Sequence, residues 1–260
     1  MYLFNDRHET EFFNNTPSML IIGYMTTLAD YYFNLCRKSA TPEILQAFTK
    51  YQSELLEWNA QFNLTAIRSA EEIETKHFMD SLSLLPTLQQ YQVHSLIDIG
   101  TGAGFPGIPL KIVDPALHLV LVESVEKKAS FCRHIIQTLD LKDAEVVVER
   151  AEAIGQNKLY REQFDCAVAR AVAPLPVLLE YLLPLVRVGG IIIAQKSASV
   201  DQEIAQAKNA CAILGGNEMR VEPVMIPGLD AARNLVIIEK RKATPAAYPR
   251  RVGLPAKKPL

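Results

Sequence analysis

The 260-residue sequence has no paired cysteines, no metal-ligand spacing and no apolar run long enough to cross a membrane. Its four cysteines are scattered without a C-x-x-C pair. This predicts reduced thiols in a cytoplasmic protein rather than a disulfide-rich secreted domain. Its five histidines stand at no spacing typical of zinc ligands, either with each other or with cysteine. We therefore expect neither a disulfide framework nor a bound metal ion.

The amino-terminal region carries one apolar segment, residues 19–29. It is shorter than the roughly 20 residues that a membrane-spanning helix needs. Three acidic residues and a single arginine precede it, unlike the positively charged start of a signal peptide. Residues 1–17 are polar and are expected to form a disordered extension. We expect a protein that does not associate with membranes.

The charged residues are unevenly distributed. The whole chain has a net charge of −2, but residues 240–260 carry seven basic residues and no acidic one. The remainder has 20 basic against 29 acidic residues, a net charge of −9. A basic end on an acidic body predicts contact with a polyanion such as RNA, and a solvated, disordered, Pro-rich end is the alternative. The seven residues are Lys240, Arg241, Lys242, Arg250, Arg251, Lys257 and Lys258.

Hydrophobic periodicity divides the chain after the extension into three parts. Residues 18–90 are predicted to be a helical appendage, since apolar residues recur at helical spacing through residues 44–58 and Thr41 precedes a proline. Strands and helices alternate through residues 91–242, which predicts an α/β fold with a doubly wound, mostly parallel sheet. Residues 243–260 form a basic, Pro-rich tail.

The alternating region is predicted to contain six strands, at residues 95–99, 118–123, 145–149, 164–169, 191–195 and 234–240. Four helices are predicted between them, at residues 106–113, 125–139, 173–186 and 200–213. Ligands of such sheets bind beyond the carboxyl ends of the strands. The residues that follow the first four strands are therefore expected to converge on one site.

The turn after the first predicted strand is the most informative segment. Asp98 lies in that strand, and Gly100, Gly102 and Gly104 follow at alternating positions. Glycine allows positive φ values and a close approach of ligand to backbone, so the turn predicts a nucleotide-like cofactor. Residues 102–107 match the G-x-G-x-x-G dinucleotide pattern. The acidic residue followed by alternating glycines also resembles the first motif of Rossmann-like S-adenosylmethionine-dependent methyltransferases.

Neighbouring residues bear on the choice between these two cofactors. Phe105 and Pro106 crowd the turn, which suits S-adenosylmethionine, a ligand without phosphates. The carboxylate of Asp98 suits the amine of that ligand better than a pyrophosphate. Glu123, at the end of the second strand, can accept hydrogen bonds from both ribose hydroxyls under either interpretation.

Two further positions follow the third and fourth predicted strands. Ala151 and Glu152 stand where an adenine-facing group is expected, and the alternative is a Glu that complements a helix dipole. Arg170 carries a planar guanidinium that suits the methionine carboxylate or an RNA phosphate. The alternative for Arg170 is an ion pair with Asp165 or Glu152.

The sequence lacks the motifs of two other classes of nucleic-acid methyltransferase. After the fourth strand it has Ala-Arg-Ala-Val-Ala-Pro, not the Asn/Asp-Pro-Pro-aromatic motif of enzymes that methylate exocyclic amines. Cys166 lies inside a predicted strand, outside the usual context of a nucleophile for pyrimidine carbon 5. Without these two classes, the remaining kind of methyl acceptor is a base atom that is already nucleophilic. Guanine N7 is such an acceptor, and proximity and orientation can supply most of its catalysis.

Several motifs between residue 55 and the C-terminus occur in combination. They are Trp58-Asn59 with Asn63-Leu64-Thr65, His77 with Asp80-Ser81-Leu82, Asp98 to Leu110, Lys127-Lys128 with Phe131, Arg150-Ala151-Glu152, Ala169-Arg170-Ala171, and Tyr248 to Leu260. Together they resemble the bacterial 16S ribosomal RNA guanine-N7 methyltransferases, also called glucose-inhibited division protein B.

This resemblance implies a fold, a cofactor and a partner. The implied fold is that of the Rossmann-like methyltransferases, and the implied cofactor is S-adenosylmethionine, contacted by Gly100, Phe105, Ala151, Glu152 and Arg170. With the residues argued above, the predicted cofactor set is Asp98, Gly100, Gly102, Gly104, Phe105, Glu123, Ala151, Glu152 and Arg170.

The implied partner is 16S ribosomal RNA in the small subunit, and the protein is expected to be a monomer. The residues expected to contact RNA are Lys196, Arg250, Arg251, Lys257 and Lys258. His77 and Asp80, three residues apart on one helix face, match family motifs and are interpreted as structural. No residue is assigned to catalysis.

Two other functions are weighed against this one. An NAD-dependent oxidoreductase would use residues 102–107, but the sequence offers no convincing catalytic Tyr/Lys pair or His for it. A non-enzymatic RNA-binding or cell-division factor would not need a cofactor cavity.

Overall fold

The computed structural model describes residues 27–197, 200–230 and 232–260. The predicted extension, residues 1–17, lies outside the described residues. Within those ranges, no helix is long and apolar enough to span a membrane. The same ranges contain no group of three or more histidine, cysteine, aspartate or glutamate side chains placed to hold a metal ion.

Seven strands of the described chain form one sheet. They are β1 (Ser95–Ile99), β2 (His118–Glu123), β3 (Ala144–Val148), β4 (Phe164–Arg170), β5 (Val186–Ser197), β6 (Gly216–Val224) and β7 (Arg233–Lys240). Their order is β3-β2-β1-β4-β5-β7-β6. Neighbouring strands from β3 to β5 are parallel, whereas β7 is antiparallel to both β5 and β6. The predicted doubly wound, mostly parallel sheet is confirmed.

Helices cover both faces of this sheet. Before β1 they are α1 (Leu28–Cys36), α2 (Pro42–Phe62), α3 (Ala70–Ile73), a π-helical stretch (Glu74–Met79), α4 (Asp80–Leu82) and α5 (Leu85–Gln90). After β1 they are α6 (Gly107–Val113), α7 (Glu126–Thr138), α8 (Ala151–Gln156), α9 (Leu175–Leu182), a 3₁₀ turn (Leu183–Leu185), α10 (Asp201–Leu214) and α11 (Leu254–Lys257).

Helix α2 begins where the sequence predicts a helix start. The hydroxyl of Thr41 accepts a hydrogen bond from the backbone N–H of Ile44, and Pro42 occupies the first turn, where its missing N–H costs nothing. The buried side chains recur every three or four residues and include Tyr51 and Leu55. The hydroxyl of Tyr51 donates to the carbonyl of Ala103, which ties this helix to the turn after β1.

Each face of the sheet has its own hydrophobic core. One core joins Tyr51 of α2 and Phe78 of the π-helical stretch to Leu96 of β1. The other joins Leu179 of α9 to Ile97 of β1. The helices before β1 therefore pack directly on the sheet, and they bring their polar residues to its edge.

Residues 243–260, the C-terminal segment, pack against the body of the protein. The guanidinium of Arg250 forms paired hydrogen bonds with the carboxylate of Glu180, at 2.9 Å from Nε to Oε1 and 2.6 Å from Nη2 to Oε2. The guanidinium of Arg161 donates to the carbonyls of Thr244 and Tyr248. The interpretation of this segment as a solvated, disordered end is therefore wrong.

Strand β6 has no counterpart among the six predicted strands. It lies at the edge of the sheet, pairs with β7 alone, and is mostly polar, with Pro223 near its end. Proline and charged residues are typical of edge strands and weaken the apolar pattern used for prediction. The predicted helix 173–186 is too long, since α9 ends at Leu182 and β5 already begins at Val186.

Candidate active site

The turn after β1 is a glycine loop that is closed by a buried carboxylate. Asp98 Oδ2 accepts hydrogen bonds from Thr101 Oγ1 at 2.6 Å and from the N–H of Gly107 at 2.9 Å. Burial raises the pKa of this carboxyl to about 6. Its second oxygen, Oδ1, is buried without a hydrogen-bond partner. Asp98 thus stabilises the conformation of the glycine loop through its hydrogen bonds with Thr101 and Gly107.

Two glycines of the loop have no room for a side chain. Gly100 has a φ of +67°, and a Cβ built on it would lie 2.7 Å from Val172 Cγ2. Gly104 has a φ of +95°, and a Cβ there would lie 2.5 Å from Ile108 Cδ1. Both the positive φ values and the close packing require glycine. The loop predicted from the sequence is therefore sterically fixed.

Glu123, at the end of β2, supports the same loop. Its Oε2 accepts from the N–H of Gly102 at 3.0 Å, and its Oε1 accepts from the N–H of Val125 at 2.8 Å. Both oxygens therefore carry backbone donors, and each keeps a lone pair for a further donor. The residues on either side of Glu123, Val122 and Ser124, line a cavity.

This cavity, which we call cavity A, has a volume of about 430 Å³ and lies beyond the carboxyl ends of the parallel strands. Three residues of the predicted cofactor set line it, namely Gly100, Ala151 and Glu152. Its other walls are mostly apolar and include side chains of Ile99, Val122, Val172, Pro174, Val177 and Tyr181. Apolar walls with a few polar groups are typical of nucleoside and cofactor sites.

The C-terminal segment closes one side of cavity A. Ala256 and Pro259 are among the lining residues. Glu152 lies in the first turn of α8, and its Oε1 accepts from the N–H of Gly253 at 2.8 Å and from the hydroxyl of Tyr181 at 3.4 Å. One carboxylate therefore joins the cavity wall to the C-terminal segment.

A second cavity, cavity B, has a volume of about 470 Å³ and shares the lining residue Ala173 with cavity A. Its lining is polar and rich in charge, and includes Lys76, His77, Asp80, Arg170, Gln195, Lys196, Glu203 and Arg233. Arg170 thus lies in cavity B rather than among the residues that line cavity A. Of the nine predicted cofactor residues, three line cavity A and Arg170 lines cavity B. The other five line neither cavity, namely Asp98, Gly102, Gly104, Phe105 and Glu123.

Arg170 is the centre of a hydrogen-bond network in cavity B. Its Nη1 donates to Asp80 Oδ2 at 2.7 Å and to the carbonyl of Lys76 at 3.1 Å. Its Cζ lies 5.2 Å from the centroid of the Phe105 ring, a cation–π distance. The predicted alternative was an ion pair with Asp165 or Glu152. An ion pair does form, but its partner is Asp80, while Asp165 pairs with Arg187.

His77 completes this network. Its Nδ1 lies 3.1 Å from Arg170 Nη2, and its Nε2 lies 2.9 Å from Thr65 Oγ1. Burial, with a contribution from the nearby guanidinium, lowers the pKa of His77 to about 3, so the ring is neutral. Since Arg170 can only donate, Nδ1 accepts and the Nε2–H donates to Thr65. The ring also stacks on Phe105, with centroids 4.4 Å apart.

Asn59 connects the first sequence motif to this network. Its Oδ1 accepts from the N–H of Thr65 at 2.9 Å, and its Nδ2 donates to the carbonyl of Ile67 at 3.1 Å. The side-chain amide thereby fixes the loop that presents Thr65 to His77. The motifs around residues 58–65 and 77–82, to which sequence patterns assign no chemical role, converge on Arg170.

Similarity to known proteins identifies the family. A family model described as rRNA small subunit methyltransferase G matches residues 44–236. The chain belongs to this family. A Ribosomal RNA small subunit methyltransferase G of Roseiflexus castenholzii is 51% identical over 216 residues, which cover 83% of this chain and 92% of that protein. One of Alkaliphilus metalliredigens is 47% identical over 216 residues, with 83% and 90% covered.

A solved structure supports the fold assignment. The O-methyltransferase from Bacillus cereus, in complex with SAH, superposes with a TM-score of 0.54 at 20% identity, covering 85% of this chain and all of that one. The predicted family and the predicted methyltransferase fold are both confirmed. At this identity the likeness concerns the fold alone.

The dinucleotide interpretation is not favoured by the family or by the loop. The dinucleotide-binding fold has the strand order 3-2-1-4-5-6 and places a pyrophosphate on the N–H groups of the first helix. Here an antiparallel β7 lies between β5 and β6, and the N–H of Gly107, the first residue of α6, is bound by Asp98. A phosphate would compete with this carboxylate.

The residues predicted to contact RNA differ in their surroundings. Lys196 lines cavity B, where its Nζ donates to Glu203 at 2.7 Å and to the carbonyl of Ala173 at 2.8 Å. Arg250 is held by Glu180. The others are exposed in the C-terminal segment, namely Arg251, Lys257 and Lys258.

Gln195 and Arg233 are site residues that the sequence patterns did not predict. Gln195 lies near the carboxyl end of β5, where a site residue is expected by the same rule that found Arg170. Arg233 begins β7, and because β7 is antiparallel, its start lies at the edge where the parallel strands end. The sequence pattern did not reveal the direction of β7, and that direction is what places Arg233 in the site.

Proposed function

We propose that this chain transfers a methyl group from S-adenosylmethionine to N7 of a guanine in 16S ribosomal RNA. Membership of the rRNA small subunit methyltransferase G family supports the reaction class and the RNA. The observation that carries the assignment of the site is the pair of adjoining cavities at the carboxyl edge of the sheet, which share Ala173. One cavity suits a nucleoside and the other suits a polar acceptor.

The residues of cavity A fit S-adenosylmethionine. Its apolar walls and the carboxylate of Glu152 suit an adenosine, and the glycine loop leaves Gly100 without a side chain at the wall. Asp98 is fully buried and does not line cavity A, so its part in binding is to hold the glycine loop through Thr101 and Gly107. When bound, the cofactor supplies an electrophilic methyl group. Arg170, one cavity away, suits the carboxylate of the methionine end.

The site residues support orientation rather than proton transfer. Guanine N7 has a lone pair and loses no proton on methylation, so the acceptor needs no general base. His77 agrees with this, since its Nδ1 and Nε2 are both used in fixed hydrogen bonds and its pKa is lowered to about 3. The chain holds the acceptor in place, and holding two reactants about 3–3.5 Å apart supplies much of the rate.

The first experiment is methyl transfer from labelled S-adenosylmethionine to small subunits that lack the modification, followed by nucleoside analysis. We expect labelled 7-methylguanosine. The Gly100→Val variant should lose about 100-fold in rate, because its side chain collides with Val172 and displaces the cavity wall.

The matched control for this experiment is Gly189→Val. Gly189 also has a positive φ, +88°, but it lies near the start of β5, at the opposite edge of the sheet. The folded Gly189→Val variant should therefore retain methyl transfer. A different labelled nucleoside, or equal activity of the Gly100→Val variant, would contradict the proposal.

A further inference from the structure

Two buried oxygens in cavity B have no hydrogen-bond partner. They are Asp80 Oδ1 and Gln195 Oε1. The side chain of Asp80 is 4% exposed, and Gln195 is 6% exposed. Buried polar atoms in proteins are nearly always paired, so each exception calls for an explanation such as a ligand. Two exceptions that line the same cavity point to one ligand with two donors.

The other atoms of both side chains are already fixed. Asp80 Oδ2 accepts from Arg170, and Gln195 Nε2 donates to the backbone carbonyl of Asp80 at 2.8 Å. The amide of Gln195 therefore lies beside Asp80, and its oxygen is left without a hydrogen-bond partner. Arg233 Nε forms an ion pair with Asp80 Oδ1 at 3.4 Å, but no hydrogen bond joins them, so the lone pairs of Oδ1 stay open to a donor. Both acceptors are held in place before any ligand arrives.

The remaining buried oxygens without partners do not belong to this cavity. Within the described residues they are Tyr31 Oη and Asp98 Oδ1, and neither residue lines cavity B. Within the described residues, the pair in cavity B is thus a local feature of that cavity.

Guanine is the nucleobase whose edge matches two neighbouring acceptors. Its Watson–Crick edge carries two adjacent donors, N1–H and the N2 amino group. Adenine presents an acceptor at N1 beside its amino group, and cytosine presents an acceptor at N3. Either base would place a lone pair against a buried oxygen, which is unfavourable. The N7 atom of guanine lies on the other ring, away from N1 and N2.

We propose that Asp80 Oδ1 and Gln195 Oε1 accept hydrogen bonds from N1–H and the N2 amino group of the acceptor guanine and thereby select this base. The inference rests on the proposed function, because it takes guanine as the acceptor. Binding by the Watson–Crick edge leaves N7 free to face cavity A. It also requires that the target guanine leave its stack, as in other enzymes that act on bases.

The test uses small subunits reconstituted with 16S RNA that carries one changed nucleotide at the methylated position. Inosine removes the N2 amino group, and 1-methylguanosine removes the N1–H. We expect each replacement to lower kcat/KM of the wild-type protein by about tenfold or more, because a buried acceptor stays unpaired.

The Gln195→Leu variant gives a second measurement. It should be slower than wild type on the guanosine substrate. It should also lose most of the discrimination against one of the two altered nucleotides, because the acceptor that the nucleotide would leave unpaired is gone. Gln137→Leu, on the exposed face of α7, is the matched control and should keep wild-type discrimination. Binding of S-adenosylmethionine, measured by calorimetry, should be unchanged in both variants.

The possible outcomes separate this inference from the proposed function. Absence of 7-methylguanosine with the wild-type protein would reject the proposed function itself. Full activity of the wild-type protein on guanosine, inosine and 1-methylguanosine alike would overturn the inference and leave the function standing. This comparison needs no variant, so it decides the question even if Gln195→Leu does not fold.

Discussion

The groups around His77 favour a single protonation state of its ring, the neutral one. Arg170 occupies its Nδ1, Thr65 occupies its Nε2, and Phe105 covers a face of its ring. Protonation of the ring would place a second cation beside the guanidinium of Arg170 and would remove the acceptor that the guanidinium uses. The neutral ring is therefore the form that keeps Arg170 in position.

This arrangement predicts a pH dependence of stability. The pKa of His77 is about 3 in the folded protein, against about 6.5 for an ordinary histidine. Between these values the unfolded chain binds a proton that the folded chain does not. The free energy of unfolding should therefore rise with pH across this window, with a contribution of up to about 1.4 kcal/mol per pH unit.

His77→Gln removes this contribution, so in chemical denaturation between pH 3.5 and 7 the free energy of unfolding of wild type minus that of the variant should rise with pH. Asp98, with its pKa raised to about 6, has the opposite slope between about pH 4 and 6, but it is common to both proteins and cancels in the comparison. The exposed His94, changed in the same way, is the control. An identical curve for His77→Gln would mean that the folded protein protonates this ring.

At the scale of elements, the sequence predicts strand bounds best where a buried apolar run is followed by glycine or ends in an acidic residue. The bounds of β1 and β2 agree with prediction to the residue, because each is a buried apolar run that ends in an acidic residue or glycine. Cavity B was not predicted as a site, because its polar residues come from the π-helical stretch, α4, β4, β5, α10 and β7. Only the packing of distant elements brings these residues together.

The C-terminal segment was predicted from its charge, and charge alone does not reveal packing. Glu180, which is almost fully buried, accepts three hydrogen bonds from the guanidinium of Arg250. The sequence shows no sign of this pairing, since 70 positions separate the two residues. The segment that the sequence assigns to RNA therefore also forms a wall of cavity A.

Arg250→Ala should weaken both the fold and the cofactor cavity. It leaves the buried carboxylate of Glu180 without its partner, which should lower the free energy of unfolding by about 3 kcal/mol. Because Ala256 and Pro259 line cavity A, the Kd for S-adenosylmethionine should rise several-fold, as measured by calorimetry. Arg251→Ala, at the exposed neighbouring position, should change neither quantity. Equal cofactor affinity in the two variants would show that the segment does not shape the cavity.

At the scale of the whole molecule, residues 240–260 expose less positive charge than their sequence suggests. Lys240 is fully buried and bonds to Glu162 and to two carbonyls. Arg241 pairs with Glu239, and Arg250 pairs with Glu180. Of the seven basic residues in residues 240–260, those left exposed without an acidic partner in the described chain are Lys242, Arg251, Lys257 and Lys258. Three of them lie in the segment that borders cavity A.

These exposed charges predict a measurable salt dependence. Replacing Arg251, Lys257 and Lys258 together by alanine should lower affinity for 16S RNA. It should also reduce the slope of log affinity against log salt by about 0.7 for each phosphate that is no longer neutralised, or about 2 in total. Filter binding at several KCl concentrations measures the slope. Lys208→Ala, at an exposed position on α10, should leave it unchanged. An unaltered slope in the triple variant would place the RNA contact elsewhere.

The wall formed by Ala256 and Pro259 has a consequence for synthesis of the protein. The ribosome makes the glycine loop, α8 and Tyr181 well before it makes this wall. A chain that stopped before Ala256 would have every strand of the sheet but would lack this wall of the cofactor cavity. Enclosure of cavity A therefore follows the synthesis of its other walls.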